Sequence, residues 1–509
     1  MPKGADMRFP RSSGIMLHPT SLPGPHGSGD LGAVAYHFVD WLATAGQKLW
    51  QILPLGGTGP GNSPYTSSSA FAGNLLLIDL NELYEYGWLT ADDLIPDADF
   101  NSHRVNFALV HHYRMARLRL AANRFFADQQ HHHITEFEAF CTAEQSWLED
   151  HVLFMALTEK FNWQEWGQWP PAYVHREAGA LLQASIELAD EIGFWRFCQW
   201  CFFRQWRKLK QYANARGVRI IGDMPIFVAY QSADVWSRQA LFELGADNQP
   251  TVIAGVPPDY FSATGQRWGN PLFRWSAHDL ENYAWWIERM RKTIELFDIV
   301  RIDHFRGFAG YWEIPASEPT AIKGRWMPGP GEKLFNAIRN ELGRLPIIAE
   351  DLGVITPDVV ALLEKFSLPG MRVLQFAFGG SSENSYLPHH FINNMVVYVG
   401  THDNDTTIGW FKSASEHERA FVCKYLRTDG KEINWDLIHA ASLSVADIAI
   451  HTMQDVLGLD SEHRMNLPGI ADGNWEWRFT WGQLTAHHSE RLYEISALHG
   501  RCEVDRLRI

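Results

Sequence analysis

Three short acidic segments concentrate the chemistry of this 509-residue chain: Arg301-Ile302-Asp303-His304-Phe305, Ala349-Glu350-Asp351-Leu352-Gly353 and Gly400-Thr401-His402-Asp403-Asn404. Each follows an apolar run that predicts a buried strand: Phe297 to Ile302, Leu345 to Ala349, and Val396 to Gly400. Burying an unpaired carboxylate is costly, so three core strands that end in acids point to a reaction centre. In a β/α barrel that centre lies at the C-terminal ends of the strands. In any one segment, an ordinary strand-end acid capping the next helix would leave the same trace; the three together argue for chemistry.

Arg301 and Asp303 are two residues apart, so a strand turns both side chains to one face. The guanidinium is expected to lower the Asp303 pKa and keep it ionised, as a nucleophilic carboxylate requires. A structural Arg–Asp pair has the same spacing. Glu350 follows Leu345-Pro346-Ile347-Ile348-Ala349, and apolar surroundings hold a carboxyl proton to higher pH, which suits a general acid. Asp351 points to the opposite face if the strand continues. Asp403 is placed to stabilise positive charge on a reacting sugar, with His402 holding a hydroxyl. A His–Asp pair also raises a metal site or a hydrolytic triad, but neither HExxH nor GxSxG occurs. The loop from Gly56 to Tyr65 lacks the GK[ST] of a phosphate loop, and Pro60 and Pro64 remove backbone donors. A turn that presents Tyr65 to a ligand fits better. The stretch from Gly255 to Asn270 mixes aromatic and polar groups and suits the lining of a saccharide groove.

The elements that must position these residues alternate between strand and helix, which favours a parallel sheet in an α/β fold. Predicted strands are 14–17, 48–53, 75–80, 219–222, 299–302, 347–349, 373–376 and 396–399, of which the third need not belong to a barrel. The expected architecture is a (β/α)8 TIM barrel filling residues 1–509, although periodicity alone leaves a doubly wound sheet open. Residues 81–211 read as a mainly helical insertion and 232–274 as a loop-rich insertion bordering the active site. The net charge of −15, from 44 basic and 59 acidic residues, argues against nucleic-acid or membrane partners. The 22 Trp, 30 Phe and 15 Tyr supply rings that either fill a core or stack on sugars. The odd cysteine count argues against a disulfide framework, and Cys198 and Cys201 read as structural thiols inside a helix. The N-terminus lacks a signal pattern, and a soluble cytoplasmic protein is expected.

With these residues in view, the chain resembles the amylomaltase (4-α-glucanotransferase) family, related to the α-amylase superfamily. The resemblance runs in order through His18-Pro19-Thr20-Ser21-Leu22-Pro23-Gly24, Ser63-Pro64-Tyr65, Gly222-Asp223-Met224-Pro225-Ile226, Gly255 to Asn270 and the three acidic segments. It implies a (β/α)8 barrel that transfers α-1,4-glucan segments between oligosaccharides. It makes Asp303 the nucleophile, Glu350 the general acid/base and Asp403 the transition-state stabiliser. Arg301 and His402 match sugar-contacting residues, Tyr65 a ring that stacks on the sugar, and Asp223 and His304 further contacts. Asp259, Gln266 and Trp268 match a loop that crosses the groove, and Asn474 a residue near the acceptor side. Asn62, Thr66 and Leu75 depart from the family pattern without touching the acids. The implied partners are maltooligosaccharides, amylose or glycogen-derived glucans; no cofactor or metal is expected. A retaining scheme needs the two reacting carboxyls about 5–5.5 Å apart. An α-glucan hydrolase would use the same acids, so the preference for transfer rests on the resemblance.

Overall fold

The computed structural model describes residues 8–128, 133–258 and 262–503. Eight parallel strands follow one another around one sheet: β1 (Ser12–Met16), β2 (Leu49–Gln51), β3 (Arg219–Pro225), β4 (Ile299–Asp303), β5 (Ile347–Ala349), β6 (Gly370–Val373), β7 (Met395–Tyr398) and β8 (Ile448–Thr452). The N–H of Ala349 donates to Pro369 O at 2.9 Å, which brings β5 against the start of β6 and nearly closes the sheet into a barrel. Every strand contributes to one buried inner layer: Met16, Leu49, Ile221, Ile299, Ile348, Met371 with Val373, Val396 with Tyr398, and Ile448 with Ile450. Each such side chain contributes about 1.5–3 kcal/mol by leaving water. Because strand side chains alternate, this layer dictates which residues face inward higher up. Asp223 stands above Ile221, Arg301 and Asp303 above Ile299, and Glu350 above Ile348.

Two strand assignments differ from the sequence reading. Residues 75–80 are not a strand: Leu75–Leu77 is a 3-10 turn and Leu80–Glu85 an α-helix. Asn74 and Asp79 cap them by accepting from Leu76 N and Asn81 N. Side chains complete the backbone hydrogen bonding here in place of a ladder. Gln199 bonds both backbone groups of Gly73, and Gln205 both of Asp79. The eighth barrel strand is Ile448–Thr452 instead, fully buried. Residues 374–376 are also a 3-10 turn, so β6 ends three residues earlier than expected.

Between β2 and β3 the described chain carries helices, the longest Ala189–Ala215. Its inward row of Trp195, Cys198, Phe202, Trp206, Leu209 and Ala213 is buried, at the three- to four-residue spacing of one helix face. Gly217, at φ 73°, and a bond from Val218 N to Ala213 O close the helix and release the chain into β3. The 232–274 stretch is more ordered than a loop. Val252–Val256 and Gln266–Pro271 pair antiparallel and join Gly310–Pro315 and Arg325–Pro328 in a second, four-stranded sheet. Among the described residues no helix is long and apolar enough to cross a membrane.

Candidate active site

The inward row places Arg301 among carboxylates. Register pairs Asp223 with Arg301 on neighbouring strands. Arg301 Nη1 donates to both Asp223 oxygens at 2.7 Å, and Nη2 lies 3.0 Å from Asp303 Oδ1. The Arg301 side chain is 4% exposed and that of Asp223 0%, whereas Asp303 is 31% exposed and opens to the groove. One buried cation therefore holds a structural carboxylate and a reactive-looking one together.

The chain leaves β4 through His304, a non-glycine residue at φ 54°. A left-handed residue of this type costs about 1–2 kcal/mol, and here the turn aims the His304 N–H at Glu350 Oε2, 2.7 Å away. Leu352 N donates to Glu350 Oε1 at 2.8 Å. Glu350 is thus anchored beside Asp303 by the residue that follows Asp303. Burial, and then the nearby Asp303 charge, push the Glu350 carboxyl up to about 7. Asp303 departs from the sequence expectation. Partial burial, together with the charges of Asp223 and Asp403, raises it to about 6, outweighing the lowering effect of Arg301. Proximity to a guanidinium was legible in the spacing; the desolvation of a strand end inside a barrel was not. Asp351, on the opposite face, accepts from Met371 N at 2.6 Å and from Arg372 at 3.2 Å, and so ties β5 to β6.

The loops after β2 and β7 meet over this row. Tyr65 donates its hydroxyl proton to Asp223 Oδ2 at 2.8 Å and lies 2.9 Å from His402 Nε2. With that proton committed, the Tyr65 oxygen accepts from a protonated His402 Nε2. The two rings stack at 5.3 Å between centroids, with Trp475 5.8 Å from each. Asp403 is 47% exposed. Its Oδ1 accepts from Asn466 Nδ2 at 2.6 Å and lies 3.4 Å from His402 Nε2. Across the groove Trp268, more than a third exposed, meets His304 edge-on at 4.8 Å. Its indole N–H donates to Gln266 Oε1 at 3.1 Å. Burial pushes the His304 imidazole down to about 3, so it is neutral and presents a hydrogen-bonding ring without charge.

The structure therefore brings Tyr65, Asp223, Arg301, Asp303, His304, Glu350, His402 and Asp403 together, with Gln266 and Trp268 at the rim. Asp259 lies outside the described residues. Asn474 lies in the loop after β8. It is buried, and its amide accepts from Leu467 N at 2.8 Å and donates to Ile470 O at 2.7 Å, bracing its own loop. Sequence reasoning missed Asn466, Arg464 and Trp475, which share that loop; the polar run Arg464-Met465-Asn466 was visible, but with no strand predicted at 448–452 nothing placed it at a barrel end. Among the described residues no group of three or more His, Cys, Asp or Glu side chains is arranged to hold a metal ion.

The profile of a family described as 4-alpha-glucanotransferase matches residues 17–485, nearly the whole chain. The chain belongs to the 4-alpha-glucanotransferase family. A 4-alpha-glucanotransferase of Thermus thermophilus is 51% identical over 494 residues, covering 96% of this chain and 98% of that one. The chloroplastic/amyloplastic enzyme of Solanum tuberosum is 45% identical over 502 residues, covering 96% and 86%. Among solved structures, the amylomaltase of Streptococcus agalactiae in complex with acarbose superposes with a TM-score of 0.94 at 38% identity, covering 97% of this chain and all of the other. That of Corynebacterium glutamicum has a TM-score of 0.77 at 17% identity and shows the shared fold. The activity of this family member is that of a 4-alpha-glucanotransferase, and the fold is the expected (β/α)8 barrel.

Proposed function

We propose that the protein transfers α-1,4-glucan segments by double displacement through a covalent glycosyl-enzyme, with Asp303 as nucleophile, Glu350 as acid/base and Asp403 as stabiliser. The observation that carries this reading is the different holding of two neighbouring carboxyls. Asp303 opens to the groove beside a guanidinium, while Glu350 is enclosed, and burial keeps its proton up to about 7 even though two backbone N–H groups that orient it favour its anion. Near neutral pH the first is the better anion and the second the better proton donor. Glu350 gives its proton to the leaving glycosidic oxygen as Asp303 bonds to C1. Asp403 offsets the positive charge that develops on the ring. Glu350, now ionised, takes the proton of an incoming 4-hydroxyl as that oxygen displaces Asp303, which returns the starting protonation states.

Tyr65 and His402 offer a stacked platform for the sugar at the cleavage point, and Arg301 with Asp223 holds the nucleophile in register. His304, Gln266 and Trp268 would line the glucan's path, and a substrate contact for Asp259 rests on the family resemblance alone. Asn474 would act through the loop it braces. The substrates in this reading are maltooligosaccharides, amylose or glycogen-derived glucans, supported by the acarbose complex of the streptococcal relative. We read residues 81–211 and 232–274 as insertions into the barrel. A cytoplasmic setting agrees with the five free cysteines.

Incubation with maltotriose tests the reading. Transfer yields glucose plus a ladder of longer glucans with the reducing-end total nearly constant, because each bond broken is replaced. A steady rise in reducing ends without longer products would mean hydrolysis. Asp303→Asn should fold and show no turnover, since an amide cannot form the glycosyl ester.

A further inference from the structure

We infer that Asn466 is a positioning residue for the reaction, holding Asp403 in the orientation that meets the charge forming on the sugar; this rests on the stabilising role given to Asp403 above. Asp403 needs an external hold. It lies beyond the end of β7, its side chain is 47% exposed, and a half-exposed aspartate on a loop samples several rotamers. Its nearest ring neighbour is a poor anchor. The single Nε2 proton of His402 points to the Tyr65 oxygen at 2.9 Å, leaving the 3.4 Å approach to Asp403 secondary. The Asn466 amide, 2.6 Å from Asp403 Oδ1, is the short directed bond. Because a carboxylate only accepts, the NH2 end of Asn466 must face it.

The backbone around Asn466 is pinned at both ends. Its N–H donates to His402 O at 3.1 Å, and its carbonyl accepts from Arg464 Nε at 3.0 Å. Arg464 also donates to Asp403 O at 2.9 Å, so Arg464 and Asn466 grip the 402–403 dipeptide from the loop that follows the neighbouring parallel strand β8. Farther along the loop, Trp475 N donates to Met465 O at 2.7 Å and the Trp475 ring meets both Tyr65 and His402. The loop after β8 therefore ties the stabilising carboxylate to the sugar platform. With Oδ1 committed to Asn466, Oδ2 is the oxygen left for the sugar. A group preorganised this way favours the charged transition state over the neutral substrate.

The test compares Asn466→Ala, Asn466→Asp and Asp403→Asn in the full chain. Asn466→Ala should lower kcat by about 10- to 100-fold, the order that a misplacement of about an ångström costs, with KM within about threefold. It should also lose affinity for acarbose, whose bridging amine carries positive charge, more than for neutral maltotetraose. Asn466→Asp keeps the shape but sets a second carboxylate beside Asp403. It should lose more activity than the alanine variant above pH 6 and recover part of the difference at lower pH. If Asp403→Asn is inactive while Asn466→Ala keeps kcat within twofold, or loses acarbose and maltotetraose affinity equally, the inference fails. If Asp403→Asn itself retains activity, the role given to Asp403 fails instead.

Discussion

Replacing Arg301 by methionine should unmask how much of the site depends on a single buried cation. Methionine fills most of the volume of the arginine stem but leaves Asp223, with a side chain 0% exposed, without the guanidinium that held both its oxygens at 2.7 Å. Removing one partner of a buried pair costs about 3–5 kcal/mol. The Asp303 contact adds less, because that side chain is 31% exposed and water screens it. The loss is electrostatic and must therefore depend on pH. Asp303 already stands at about 6, and removing the cation that lowers it moves it further up. A carboxyl whose folded pKa exceeds its unfolded value near ~4 contributes stability that is complete below ~4. That contribution disappears as pH rises through the folded value. The variant should therefore lie closer to the parent at pH 5 than at pH 8. Thermal midpoints at one fixed scan rate measure this, since a loss of about 3 kcal/mol amounts to several degrees. Adding Asp223→Asn should restore part of the loss, because the stranded charge is gone. The acid limb of kcat/KM should move to higher pH with Asp303. Equal destabilisation at pH 5 and pH 8, with no recovery in the double variant, would refute the argument and make Arg301 a packing residue.

The wild-type pH profile should be a narrow bell. Activity falls below about 6 as Asp303 takes a proton and above about 7 as Glu350 loses one, both limbs belonging to the coupled pair; a flat rate from pH 5 to 9 would contradict these assignments. Trp268→Ala removes the exposed ring beside His304 and should depress transfer more than hydrolysis, read as the ratio of longer glucans to new reducing ends from maltotriose. Exhaustive chelation should leave activity within about twofold, and loss restored by one added metal would reopen a metal role for His402 and Asp403.

The acids and the barrel that carries them were legible because a parallel strand buried on both faces is a nearly unbroken apolar run, and polar residues at its end stand out. Period-two spacing also linked Arg301 to Asp303 and, with the inward layer at Ile299 and Ile348, makes Glu350 their neighbour. β8 escaped the same test because Ile448-Ala449-Ile450-His451-Thr452 carries a buried histidine, which burial pushes down to about 3. Its polarity masked a core strand. The reverse error at 75–80 arose because four successive apolar residues look alike in a strand and in a buried turn; Gln199 and Gln205, 126 residues away, supply the hydrogen bonds that decide between them.

Local sequence thus determined which side chains are candidates for the chemistry and, along each strand, which face they occupy, because both follow from composition and a two-residue period. Only the tertiary structure decided their protonation and their partners. The rise of Asp303 despite its arginine, the His304 turn that aims an N–H at Glu350, and the grip of Asn466 on Asp403 across 63 residues depend on burial and on contacts between strand ends. Those contacts arise when the barrel brings the strand ends together, and adjacency in the chain carries no record of them.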